Sequence, residues 1–258
     1  MKKLGNVLTI FLLASTVTLA QDKLELGIKG GGTFTHGYTN VAARRVSSNV
    51  SIPELQNKGN GIGAGYSAGI WVRKTYNHFF IQIEADYNRF VLKQKTNATL
   101  TAGGAASLAN ITLPPIVPAT LPADLAVTSQ STLESITVPV LFGHRWANGR
   151  YRVYAGPNFM AVRKAETQVE GTATATFNGV SLSVPASRTT DLRESDAGYL
   201  EVKKYTFGAE IGFGTTLLKN LDIDLRYGAP VGGVYRSSDI TGYMGVATLT
   251  VGYKLVGF

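Results

Sequence analysis

Eight segments of this chain alternate apolar and polar residues with a period of two, and nothing else in the sequence constrains the fold as tightly. In the first, Leu24, Leu26, Ile28 and Phe34 share one parity while Glu25, Lys29, Thr33 and Thr35 share the other. Side chains two residues apart lie on one face of a β-strand, so such a segment predicts a strand with a single apolar face. The pattern recurs over 62–73, 79–88, 136–143, 151–160, 205–214, 221–228 and 247–255. Strands of roughly nine to thirteen residues suit a bilayer crossing at a tilt of about 45°. The connections alternate as well, with long ones over 36–61, 91–131, 163–200 and 228–242. Short ones lie at 74–78, Ala147-Asn148-Gly149 and Lys219-Asn220. The expected fold is all-β: an eight-stranded antiparallel up-and-down transmembrane β-barrel with long extracellular loops, short periplasmic turns and both termini in the periplasm.

A soluble up-and-down barrel has the same strand count but turns its apolar residues inward. Position along the strands separates the two. Phe79, Phe142, Trp146, Tyr151 and Tyr253 fall near the predicted periplasmic ends, and Phe34, Tyr87, Phe90, Phe159, Tyr205, Tyr227 and Tyr243 near the outer ends. Two aromatic girdles flanking a band of Ile, Val, Leu, Ala and Gly are what a lipid-facing wall requires. Only alternate residues then meet lipid, which explains an overall hydrophobic content of just 44%. It also explains a charged fraction of 16%, against roughly 25% in soluble domains.

At the N-terminus, Lys2 and Lys3 precede the apolar run Val7 to Leu13, and Thr18-Leu19-Ala20 offers small residues before Gln21. This reads as a signal peptide over 1–20, leaving 21–258 as the barrel domain. Its removal takes the formal charge from +8 to +6, because the segment carries two lysines and no acid. The absence of Cys excludes a disulfide scaffold, a thiol nucleophile and a thiolate zinc site.

The segment Ile136-Thr137-Val138-Pro139-Val140-Leu141-Phe142-Gly143-His144-Arg145-Trp146, followed by Tyr151-Arg152-Val153-Tyr154-Ala155-Gly156-Pro157, carries a resemblance. With the signal peptide and the opening Leu-Gly-Ile-Lys-Gly-Gly strand, it resembles the PorT-like family of outer-membrane barrel proteins in Gram-negative bacteria. The likeness spans essentially the mature chain. It implies an integral outer-membrane barrel, and Phe258 is similar to the C-terminal aromatic read, with the last strand, by the outer-membrane assembly machinery. The founding member's tie to gliding and secretion makes an accessory role in such an apparatus one implied function.

The polar parity gives the candidate site. It carries Glu25, Glu84, Asp86, Glu210, Asp222 and Asp224 against Lys29, Arg73, Arg145, Arg152, Arg226 and Lys254. An eight-stranded barrel is only just wide enough to be filled by side chains, and an unpaired buried charge costs several kcal/mol. Six acids facing six bases therefore predict an internal ion-pair network, with Asp222 and Lys254 as candidate cross-strand neighbours in the last hairpin. The same groups lining a narrow solute channel are the alternative.

Other chemistries have weaker support. A lipid-modifying or proteolytic barrel needs a His with a Ser or carboxylate near its mouth. The chain has His36, His78 and His144 only, and no spacing brings Asp191, Glu194, Asp196 or Asp239 to His36. No catalytic, cofactor or metal residues are assigned, and scattered Lys and Arg without a stacking platform argue against nucleic acid. The outer loops 91–131 and 163–200 are the expected surface for an envelope protein partner or for shielding the barrel. Within the second, Asn178-Gly179 between two alternating runs predicts a hairpin, so strands five and six are expected to project beyond the membrane.

Overall fold

The computed structural model describes residues 23–47, 50–109, 112, 117–177, 179–194 and 200–257. The expected signal peptide, Asn178 and Phe258 lie outside the described residues. Along the chain, β1 (Lys23–Val41) is followed by three short strands, β2 (Arg44–Ser47), β3 (Val50–Ile52) and β4 (Leu55–Gly59). Then come β5 (Gly63–Tyr76), β6 (Phe79–Thr101), helix α1 (Ala102–Ala109), β7 (Pro122–Trp146) and β8 (Tyr151–Phe177). The remainder is β9 (Val180–Asp191), β10 (Tyr205–Leu217), β11 (Leu221–Val231) and β12 (Ile240–Gly257).

Eight of these strands form a ring. β1 pairs with β5, and antiparallel ladders continue through β6, β7, β8, β10, β11 and β12, which returns to β1 over Glu25 to Val41. Closure pairs both edges of every wall strand within the ring, so the wall offers no open edge. One end of the barrel is made of tight turns, and Asn77, Asn148, Gly149 and Lys219 sit there at positive φ (53°, 56°, 82° and 64°), as tight hairpin turns require.

The wall faces outward with its apolar parity. Ile28, Ile70, Ile211 and Leu249 are 47%, 54%, 63% and 46% exposed, while Thr33, Glu84, Arg152 and Thr250 on the other parity are buried. A soluble barrel would show the reverse burial. Near the turn end, Trp146 lies against Tyr151 and Phe213, and Phe79 meets His144 edge-on. At the other end, Phe159 packs on Tyr205 and Phe207, and Tyr66 stacks on Tyr87. Phe90 departs from the expected outer girdle: its even number places it on the parity of Glu84 and Asp86, and it is buried inside the barrel.

The long connections are mostly strand rather than loop. β6 continues to Thr101 and β7 starts at Pro122, so the expected loop over 91–131 is largely a two-stranded extension tipped by α1. β8 runs 27 residues to Phe177 and turns back as β9, giving the hairpin expected around Asn178-Gly179. Its partner is therefore an extra strand, β9, and not the sixth wall strand as expected; β10 leaves β8 at Ala161. Together with β4, which bridges β1 and β6, these extensions form a head beyond the loop-side girdle.

Inside that head the polarity of the barrel interior reverses. Val41, Leu55, Leu100, Ala105, Ala123 and Ile240 pack into an apolar core with α1 along it. A β-bulge between Glu134 and Ser135 of β7, opposite Val162 to Lys164 of β8, allows this. Below it Met160 and Val162 point in, and above it Ala165 and Thr167 do, so the inward parity of β8 switches from even to odd.

Candidate functional site

The side chains that alternation sends into the barrel meet across it. All twelve charged residues expected in the lumen lie there, and their ion pairs and one tyrosine hydroxyl join them into a single connected network. At the centre, Arg226 of β11 donates to both carboxylate oxygens of Glu84 on β6 at 2.6 Å, spanning the lumen. Lys29 of β1 pairs with the same Glu84 and with Asp86 at 2.7 Å. Glu210 of β10 receives Arg226 at 3.4 Å and the Asn158 amide at 3.2 Å.

Toward the turn end, the Tyr154 hydroxyl links this layer to the next. It accepts from Arg226 Nε at 2.9 Å and donates to Asp224 at 2.7 Å. Arg152 then binds Asp224 at 2.6 Å and Asp222 at 3.1 Å, and Asp222 receives Arg73 at 3.0 Å. Glu25 closes the sequence by accepting Arg73, Arg145 and Lys254 at 3.3, 3.4 and 3.1 Å. Asp222 and Lys254 are not partners: Asp222 stands opposite Gly252, and Lys254, two residues further toward the turn end, reaches Glu25 on β1 instead.

Uncharged side chains hold the ions in place. Gln82 accepts from Arg73 and donates to Glu84, tying the two layers together. The Arg73 guanidinium lies 4.6 Å from the Trp71 ring centre, and Arg226 lies 5.1 Å from that of Tyr154. Stacking suits guanidinium because it is planar and weakly hydrated. Trp71, Gln82 and Tyr154 had a sequence signal, since all sit on inward parity, but parity does not say which inward residues bridge ions.

A second closure lies above the first. Phe90, Leu133, Met160, Val162, Ala165 and Val246 meet Leu192 and Val202, which the β9–β10 connection carries inward. Backbone bonds pin that connection: Leu192 donates to Ala165 at 2.8 Å, Val202 to Leu192 at 2.8 Å and Lys203 to Val234 at 2.8 Å. Between the closures is a cavity of about 70 Å³ with Lys29, Asp86, Glu210 and Arg226 on one side and Phe90 and Met160 on the other. That is room for a few water molecules. Sequence reading misses this apolar layer because it places Phe90 in the outer girdle and Leu192 in the 163–200 loop, although Met160 already stands on inward parity.

The histidines stand elsewhere. His36 lies on the outer wall, where Nε2 is 2.9 Å from the Tyr227 hydroxyl and the ring flanks Tyr243. His78 and His144 stack on each other at the turn end, 5.9 Å between ring centres. Among the described residues, no three His, Asp or Glu side chains gather as a metal site.

Comparisons with solved structures are distant. Neisserial surface protein A is 14% identical, over 89% of this chain and 97% of that one, with a TM-score of 0.35. Ail, the attachment invasion locus protein of Yersinia pestis, is 12% identical over 88% and 98%, with a TM-score of 0.33. The outer membrane protease OmpT from Escherichia coli is 9% identical over 93% and 99%, with a TM-score of 0.26. No curated protein sequence matches the chain. The family model for the outer membrane protein beta-barrel domain does match, over residues 19–235. The ring of eight antiparallel strands with an apolar exterior agrees with that match, and the chain belongs to the outer membrane protein beta-barrel domain family.

Proposed function

We propose that this chain is a closed, non-catalytic outer-membrane barrel that acts through the head at its loop end. The observation that carries the reading is the double closure of the lumen, by an ion-paired layer and then by an apolar one. A barrel so filled has no water path, and its built, solvent-facing feature is the sheet extension of β6 to β9. In this reading the head faces outward, both termini lie in the periplasm, and residues 91–131 and 163–200 meet an envelope partner or shield the wall. His36 has phenols for neighbours, not a Ser or carboxylate, which supports a structural role at the membrane interface.

Planar-bilayer recording tests the closure: the purified chain gives no unitary conductance steps, and reproducible steps would sink the reading in favour of a channel. Orientation is tested on intact cells. Added protease cleaves within 163–200 while epitopes at both termini stay protected, and cleavage of the terminal epitopes would reverse the assignment.

A further inference from the structure

The turn end of the barrel is not balanced like the lumen behind it. It opens as a bowl of about 770 Å³ whose lining carries Lys23, Arg145, Arg150, Lys219 and Lys254 against the single acid Glu25. Glu25 is already shared among Arg73, Arg145 and Lys254. Among the described residues, Lys23, Arg150 and Lys219 are in no ion pair. Arg145 anchors the floor, with its guanidinium donating to Thr75 at 3.3 Å and to the Gly149 carbonyl at 3.2 Å, while its buried Nε has no partner. These cations come from the start of β1, the end of β7 and the β7–β8 turn, the β10–β11 turn and the end of β12, so the closed ring itself brings them together.

From this geometry we infer that the bowl binds a phosphate group. Five cations facing one carboxylate repel one another, and an anion placed among them removes that cost. A phosphate suits the site better than a carboxylate on two counts. It carries up to two negative charges at neutral pH, and its tetrahedral oxygens accept from guanidinium and ammonium donors arriving from several walls. The volume exceeds that of a bare phosphate and leaves room for what it is attached to. The group has two possible sources, a free phosphorylated solute or the headgroup of a phospholipid in the adjoining leaflet.

The test uses the full chain in neutral detergent at low ionic strength, with pyrophosphate as the probe in isothermal titration calorimetry. Pyrophosphate binds, and Arg150→Gln/Lys219→Gln weakens it by about tenfold or more, since each lost charge-assisted bond is among the stronger ones. Both residues lie in turns, and an unchanged heat-dependent gel shift shows that the barrel is intact. Arg188→Gln/Lys203→Gln at the opposite end leaves the affinity unaltered. Nanodiscs separate the sources. If phosphatidylglycerol discs suppress pyrophosphate binding that phosphatidylcholine discs allow, the occupant is a headgroup, and if both allow it, a free solute. Absence of binding heat in detergent, or equal weakening by the turn-end and loop-end pairs, overturns the inference.

Discussion

Glu84 is the most heavily used acceptor in the barrel, taking both arms of Arg226 together with Lys29 and Gln82. Desolvating these ions is costly, so the arrangement is stable only while every partner is present. Glu84→Gln removes the charge and leaves two buried cations sharing Asp86 and Glu210. The expected loss is about 3–5 kcal/mol, read as a lower urea midpoint in detergent. Glu84→Gln/Arg226→Met costs less than the two single changes combined, because the second substitution removes the charge that the first one strands. Gly212 makes a separate demand, since a Cβ there would fall against the Tyr154 ring and 2.7 Å from its hydroxyl. Gly212→Ala displaces the tyrosine that links Arg226 to Asp224, for about 1–3 kcal/mol in the same assay. Parity made the twelve charges legible in the sequence, because inward residues are every second one. Partner choice was not legible: Asp222 turned to Arg73 and Arg152 across the lumen, and only strand closure sets those distances.

Among the elements, β9 is an edge that the ring does not protect. The pair Phe177 and Val180 closes a two-residue turn, so alternate pairs outward, 175 with 182 and 173 with 184, form the hydrogen-bonded set. Pro185, opposite Thr172, falls in the other set, and the N–H it lacks is one that would have pointed to the open edge. Exposed Val180, Leu182 and Val184 adjoin it, so Pro185 works as a stop to further strand pairing. Pro185→Val restores the donor and is expected to raise self-association in detergent, seen as a faster-sedimenting species, with the barrel's gel shift unchanged. The eight wall strands were legible because lipid on one side and a crowded lumen on the other enforce strict alternation. Their upper ends were not. Above Lys164 the bulge changes the parity of β8, and the interior there is apolar like that of a soluble protein, so Ala165 to Phe177 no longer follow the wall pattern. Residues 91–131 read as loop because their inward side chains are not charged like those of the wall: Leu100 and Ala123 pack into the apolar core of the head instead.

For the molecule as a whole, the two closures act in series, which makes their separate removal informative. In the proposed reading the ion-paired layer blocks passage with side chains reaching across the lumen, chiefly Arg226 to Glu84 and Arg73 to Asp222. Glu84→Ala/Arg226→Ala shortens both sides of the central crossing and leaves their neighbours to rearrange around water. The apolar layer of Phe90, Leu133, Met160 and Val202 still stands above it, and an ion entering that layer meets no polar partner. The double variant is therefore expected to stay silent in planar-bilayer recording. Phe90→Ala/Met160→Ala alone is expected to stay silent too, because the charged layer remains filled. Only the combination removes both barriers, and it is expected to give small, reproducible unitary steps. Steps from the first pair alone would mean that the apolar layer admits hydrated ions and that closure rests on the salt bridges. Steps from the second pair alone would assign closure to the apolar layer.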